Sequence, residues 1–295
     1  MSEVKHIMVA TDLSPRADRA LLRAAQLATE QSAKLTVLHV VEDTLFQKGG
    51  GIAHQIVVGA KEVLEQKITA LPLQPTKKVA LRTLSGKPFV EIIRQARKEG
   101  ADVVVLGAHG QHFWKDMFLG TTTEKVVRKG DRTILVVNRP THSPYRRVLV
   151  PVDFSECSRS ALILALQLAP EAEFHILHAY QGLFEGRLGM PGVLEKDIIR
   201  YRRQVANTAR LNMTEFLQQV DFGKRPVKHT LRHGRPPHVI KAVAERLRAD
   251  LVAVGTTGRT GLPYILLGSV GEHVLREVKS DVLLVRSGPA HFELP

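Results

Sequence analysis

Two stretches of this chain, GAHGQHFWKDMFLGT at 107–121 and GTTGRTGLPYILLGS at 255–269, hold glycines in one frame: two residues between the first pair, nine before the next, then a hydroxyl residue. Gly107, Gly110 and Gly120 recur as Gly255, Gly258 and Gly268 at an offset of 148, and Gly86 of SGKPFVEII recurs as Gly234 of HGRPPHVIK at the same offset. Nearer the start of each copy the offset shrinks, to 141 between Asp12 (VATDLS) and Asp153 (VPVDFS) and to 139 between His39 and His178. A self-similarity of this kind constrains the fold before any single residue does. The chain is a tandem duplication whose second copy carries nine extra residues (148 less 139) between its second and third strands. The 295 residues suit two domains of roughly 150 each. The polar join NRPTHSPY at 138–145, with its two prolines, divides them into 1–140 and 141–295.

Each copy alternates short apolar runs with helical patterns, the signature of a parallel sheet with crossover helices. In the first copy strands are expected near 5–10, 34–40, 78–84, 102–107 and 133–137, with helices near 15–31, 52–70, 88–99 and 121–129. The second copy gives strands near 146–151, 173–179, 227–232, 250–254 and 281–285, with a longer second helix near 193–220. Ser14–Pro15 reads as an N-cap and first-turn proline, and Pro88 opens the third helix in the same way. The expected fold class is α/β, with two flavodoxin-like (Rossmann-like) five-stranded parallel sheets in tandem and helices on both faces of each.

Composition excludes several classes. No apolar run approaches the roughly 18 residues that span a bilayer. The opening MSEVKHIMVATD meets Asp12 after a short apolar run, unlike a signal peptide, so a cytoplasmic protein is expected. The net charge of +13 is divided evenly, with 21 Lys+Arg against 14 Asp+Glu up to His142 and 21 against 15 beyond. Without a basic tail or interleaved aromatics, this argues against a dedicated nucleic-acid site. The lone cysteine, Cys157, excludes an intrachain disulfide and reads as a small packing residue.

In an open doubly wound sheet, ligands bind beyond the carboxyl ends of the strands where connections diverge. Asp12 and Asp153 follow the first strand of each copy, and the glycine frame follows the fourth, so carboxylate and glycines would face one ligand. Backbone without Cβ brings N–H groups close to phosphate oxygens, and in the second copy Gly268 and Ser269 open a helix whose N-terminus favours an anion.

The strand ending in Asp, the GxP before the third helix, and ADLVAVGTTG followed by nine residues and GSVGEHVLREVKSDVLLVR closely resemble the universal stress protein family. Both copies match along nearly their whole length. The resemblance implies that ATP is held by the frame G-2x-G-9x-G-(S/T), while leaving open whether Mg²⁺ accompanies it. By position the second site would be Val152, Asp153, Ala179, Gly255, Thr257, Gly258, Arg259, Gly268, Ser269 and Val270. The first would be Thr11, Asp12, Val40, Gly107, His109, Gly110, Gly120, Thr121 and Thr122. The Asp and the residue ending the second strand would address the adenosine, with the glycine loop and following helix on the phosphates. Bulky His112, Phe113 and Trp114 stand where the second copy has Thr260, Gly261 and Leu262, so the second site is the one expected to be competent. The resemblance also implies that TILVVNR and VLLVRSG pair the halves into an internal pseudo-dimer, and a homodimer of such chains is expected.

Other candidates are weaker. His109 and His112, with His54, have partial zinc-ligand spacing but read as loop histidines. His39 and His178 read as partly buried structural residues, and Glu272 as a helix-start carboxylate. An ATP-binding stress-response regulator with an unidentified protein partner is the leading reading. A slow ATPase or nucleotidyl-transfer enzyme and a ligand-free interaction scaffold are the alternatives; without a convincing base and nucleophile, an enzyme is the weaker expectation.

Overall fold

The computed structural model describes residues 3–42, 50–71, 79–108, 120–140, 143–182, 194–256 and 267–286. The first copy runs β1 (His6–Thr11), α1 (Ala17–Glu30), β2 (Lys34–Glu42), α2 (Gly50–Thr69), β3 (Val79–Gly86), α3 (Pro88–Glu99), β4 (Val103–Gly107), α4 (Thr121–Lys129) and β5 (Thr133–Val137). The second runs β6 (Arg147–Pro151), α5 (Glu156–Leu168), β7 (Glu173–Tyr180), α6 (Glu195–Gln218), β8 (Val227–His233), α7 (Pro236–Leu247), β9 (Leu251–Gly255), α8 (Ser269–Glu277) and β10 (Asp281–Val285). The extra residues of the second copy lie between β7 and β8, where α6 is four residues longer than α2 (24 against 20).

Strand order is β3-β2-β1-β4-β5-β10-β9-β6-β7-β8 in one sheet. Each copy contributes the expected five parallel strands. They fuse through an antiparallel pair, Val136 opposite Val282, Leu135 opposite Leu283 and Ile134 opposite Leu284, the strands that the resemblance assigned to the join. Because this seam is antiparallel, the carboxyl ends of the two sets of parallel strands lie at opposite edges of the sheet, and so do any ligand sites built on them.

Central strands such as VVVL in β4 are buried on both faces, as a helix-covered parallel sheet requires. Ile7, Val9, Val103 and Val105 pack beneath α1, α2, α5 and α6, whereas Met8, Val104 and Leu106 pack with α3, α4, α7 and α8. Both layers run through the two copies. Among the described residues no helix is long and apolar enough to cross a membrane.

Local chemistry sets the helix starts. Ser14 Oγ accepts from Ala17 N–H at 3.2 Å, so Pro15 and Arg16 form the entry turn of α1; Ser155 Oγ accepts from Ser158 N–H in the same way for α5. Pro88 and Pro236 open α3 and α7. The glycines two residues before them, Gly86 and Gly234, take φ of +146° and +137°, a backbone region that side chains avoid.

Two polar clusters pin the sheet. At the seam, Asp281 is fully buried and accepts from Tyr145 Oη at 2.8 Å, Asn138 N–H at 2.9 Å and Arg139 N–H at 3.1 Å, with Arg23 Nε 3.4 Å away. In the first copy Glu99 receives Lys34 Nζ at 3.0 Å, Thr36 Oγ1 at 2.9 Å, Arg82 Nε at 2.9 Å and Gln95 Nε2 at 2.6 Å. Burial by itself would raise the Glu99 carboxyl, but these four donors outweigh it and hold it at about 2. With its folded pKa below the unfolded one, Glu99 contributes stability above its ordinary range near 4.5, and that contribution is lost as pH falls toward 2. Glu99→Gln should therefore lower unfolding free energy by about 2 kcal/mol at pH 7. Urea titrations should find the two proteins converging near pH 2; a constant gap would reject this account.

Candidate functional site

The connections diverge between β1 and β4 in the first copy and between β6 and β9 in the second. The strands also part there. The β1–β4 ladder ends at Val9–Val105 although both strands continue, and β6–β9 ends at Leu149–Val252 although β9 continues to Gly255. In a doubly wound sheet a parting of this kind is where a ligand crevice is expected.

One wall is built on the same turn in both copies. Asp12 Oδ1 accepts from Ser14 N–H at 3.1 Å, and Asp153 Oδ1 accepts from Ser155 N–H at 3.1 Å and from Ser155 Oγ at 2.5 Å. The residue after each Asp, Leu13 or Phe154, is left-handed, with φ of +66° and +67°. Such a conformation in bulky side chains is strained, and its recurrence fixes where each carboxylate stands. The residue before each Asp is held as well: His39 Nδ1–H donates to the Thr11 carbonyl at 2.9 Å, and His178 Nδ1–H to the Val152 carbonyl at 2.7 Å. The two histidines are thus structural clamps between the first and second strands of each copy, placing Val40 and Ala179 beside the crevice. Phe154 adds a ring contact with His178 at 4.2 Å and with Phe216 at 5.7 Å, where the first copy has Leu13.

The opposite wall is the glycine frame. Gly107 and Gly255 end β4 and β9. A methyl group on Gly255 would lie 2.8 Å from Cys157 Sγ, 2.9 Å from the Cys157 carbonyl carbon and 3.0 Å from Ser158 N, so this glycine lets β9 approach the first turn of α5 whether or not a ligand is present. Cys157 is buried and donates to the Val285 carbonyl at 3.1 Å, in keeping with a packing residue. Gly255→Ala should cost about 1–3 kcal/mol of stability. Cys157→Ala should relieve only part of that loss, because the carbonyl carbon remains; full rescue in a thermal melt would contradict the packing.

Gly120 and Gly268 close the frame. Their N–H groups donate to the Ala108 and Thr256 carbonyls at 2.7 and 2.9 Å, and each immediately precedes a helix. Thr121, Thr122, Ser269 and Val270 occupy the first turns of α4 and α8, with Thr121 and Ser269 exposed. Among the described residues no side chain caps either helix, and the N-terminus of a helix is a position that favours an anion. In the first copy Thr123 Oγ1 donates to the Gly107 carbonyl at 2.8 Å, where the second copy has Gly271. Glu272 lies in the first turn of α8, as expected.

At the strand ends of the first copy stand Thr11, Asp12, Val40 and Gly107, with Gly120, Thr121 and Thr122 leading into α4; in the second stand Val152, Asp153, Ala179 and Gly255, with Gly268, Ser269 and Val270 leading into α8. His109, Gly110, His112, Phe113, Trp114, Thr257, Gly258, Arg259, Thr260, Gly261 and Leu262 lie outside the described residues, as does the side chain of His54. Among the described residues no cluster of three His, Cys, Asp or Glu could hold a metal ion. His39 and His178 are the partly buried structural residues expected from the sequence, although their carbonyl partners and the strained residue after each Asp were not legible there.

Comparison with known proteins agrees with this geometry. The model of the universal stress protein family matches residues 3–138 and again 144–286. Universal stress protein A homolog 1 of Coxiella burnetii is 33% identical over 138 residues, 45% of this chain and 95% of that protein. A universal stress protein of Mycobacterium tuberculosis is 27% identical over 303 aligned positions, 95% of this chain and 96% of its own length. The crystal structure of a universal stress protein from Archaeoglobus fulgidus superposes with a TM-score of 0.62 over 97% of this chain and 100% of that one, at 20% identity.

Proposed function

The chain belongs to the universal stress protein family, and we propose that it is a nucleotide-dependent stress-response regulator that binds ATP in the crevice of its second copy. The observation that carries this reading is the constellation at the β6–β9 gap. A carboxylate fixed by a strained turn follows β6, and a helix N-terminus introduced by Gly268 and Ser269 follows the neighbouring β9. A nucleotide supplies the matching groups, a polar base and ribose for Asp153 and Ala179, and phosphates for the start of α8.

Binding is favoured over turnover because Asp153 Oδ1 is already occupied by Ser155 N–H and Oγ, which suits a fixed recognition group better than a base that must exchange a proton. In this reading nucleotide occupancy changes the surface offered to a protein partner. Calorimetric titration of the full chain with ATP, with and without Mg²⁺, tests it, and one ATP per chain is the expected result. Sustained ADP production abolished by Asp153→Ala would replace the regulator with an enzyme, and absence of binding would leave a scaffold.

A further inference from the structure

The two helices that follow the glycine frames share a Glu–Arg pair at i, i+4: Glu124 and Arg128 in α4, Glu272 and Arg276 in α8. The antiparallel seam brings these helices together. Arg128 Nε donates to Glu124 Oε1 of its own helix at 3.0 Å, and Nη2 crosses to Glu272 Oε1 of the second copy at 2.9 Å. Arg276 Nη2 donates to that same Glu272 oxygen at 3.0 Å. The Arg286 guanidinium, just beyond β10, returns the contact by donating to the Val127 carbonyl in α4.

This arrangement departs from the pseudo-symmetry of the copies. Glu272 receives two guanidinium groups, whereas among the described residues Glu124 receives one, and the mirror pair between Arg276 and Glu124 is not formed. Glu272 belongs to the first turn of α8, its N–H donating to the Gly268 carbonyl at 3.0 Å, and helical side chains lean toward the N-terminus. Its carboxylate therefore stands by the helix end that the proposed function assigns to the phosphates. Left with its full charge it would repel them; a unit charge at roughly 8 Å in a half-wet site changes affinity about two- to sixfold.

We infer that Arg128, from the first copy, is a positioning residue for the nucleotide site of the second, acting through Glu272: together with Arg276 it cancels the carboxylate at the mouth of α8. The inference rests on the nucleotide reading of that crevice. It also gives the duplicated chain a purpose beyond repetition, because one copy completes the electrostatics of the other.

Calorimetric titration of full-length variants with ATP tests it. Arg128→Ala should weaken binding by about two- to sixfold, Arg128→Lys should recover most of the loss, and Glu272→Gln should bind more tightly than the parent. In the Glu272→Gln background Arg128→Ala should change nothing further, and its effect alone should shrink in 0.5 M salt, roughly a 4 Å screening length. A purely structural role would instead lower the melting temperature and leave the Arg128→Ala loss intact in the Glu272→Gln background. Parent protein that binds ATP with variants that do not differ overturns this inference alone, while parent protein that binds no ATP overturns the nucleotide reading beneath it.

Discussion

Arg23→Ala is expected to destabilise the full chain by about 3–5 kcal/mol, the usual result of stranding one member of a buried ion pair. The Arg23 and Asp281 side chains are 6% and 0% exposed. At 3.4 Å the contact between them is ionic, and Arg23 Nη1 donates instead to Gln26 Oε1 and the Ser143 carbonyl, both at 3.0 Å, while its guanidinium lies 4.0 Å from the centre of the Tyr145 ring. Helix α1, the linker and the start of β10 thus meet on a single carboxylate. Burial pushes the Asp281 carboxyl above its ordinary range, and Arg23, the Arg139 and Asn138 N–H groups and Tyr145 oppose that shift. Removing Arg23 raises it further. Because the folded pKa is already above the unfolded one, charged Asp281 weighs most against folding at higher pH, and protonation relieves it. The Arg23→Ala deficit, read from urea unfolding, should therefore be larger at pH 8 than at pH 4. A loss below about 1 kcal/mol at pH 8 would mean that the seam is held by the β5–β10 ladder and its apolar flanks alone.

That cluster marks the limit of what the sequence discloses. The strands were legible because a helix-covered parallel sheet demands apolar residues on both faces, and runs such as ADVVVLGA and TILVV meet that demand without ambiguity. The helix starts were legible because Ser14–Pro15 and Lys87–Pro88 declare themselves locally. Asp281 carries no such sign: SDVLLV reads only as the start of the last strand, and its burial depends on Arg23 and Tyr145 reaching it from far away in the chain. Glu272 was read correctly as a first-turn carboxylate, yet its partner Arg128 is supplied by the other copy and by the antiparallel seam. At the candidate site, Asp12, Asp153 and the closing glycines were placed by their recurrence after corresponding strands and by the resemblance their frame carries. The role of Gly255 was not, since its closest neighbour, Cys157, belongs to a different helix.

Asp153→Ala is expected to reduce ATP affinity at least tenfold, about 1.4 kcal/mol and the usual worth of one charge-assisted hydrogen bond in a half-buried site. The variant also removes the acceptor for Ser155 N–H and Oγ, so the loss combines recognition with loosening of the turn. Asp153→Asn separates the two effects, because an amide oxygen can still accept from Ser155 while the charge is gone. A deficit shared by Asn and Ala assigns the loss to ligand contact; a deficit confined to Ala assigns it to the turn that holds Phe154 left-handed. Ser269→Ala should cost a smaller, roughly threefold factor, since the backbone N–H groups of α8 remain. The corresponding change in the first copy, Asp12→Ala, discriminates between the crevices. With one site per chain it should leave stoichiometry and affinity unchanged. Two sites in the parent protein, one of them lost with Asp12→Ala, would make both copies nucleotide-binding and put an end to the division of labour. Retained affinity in both Asp153 variants would place the ligand elsewhere, since among the described residues at that strand end Asp153 is the carboxylate held by its own turn.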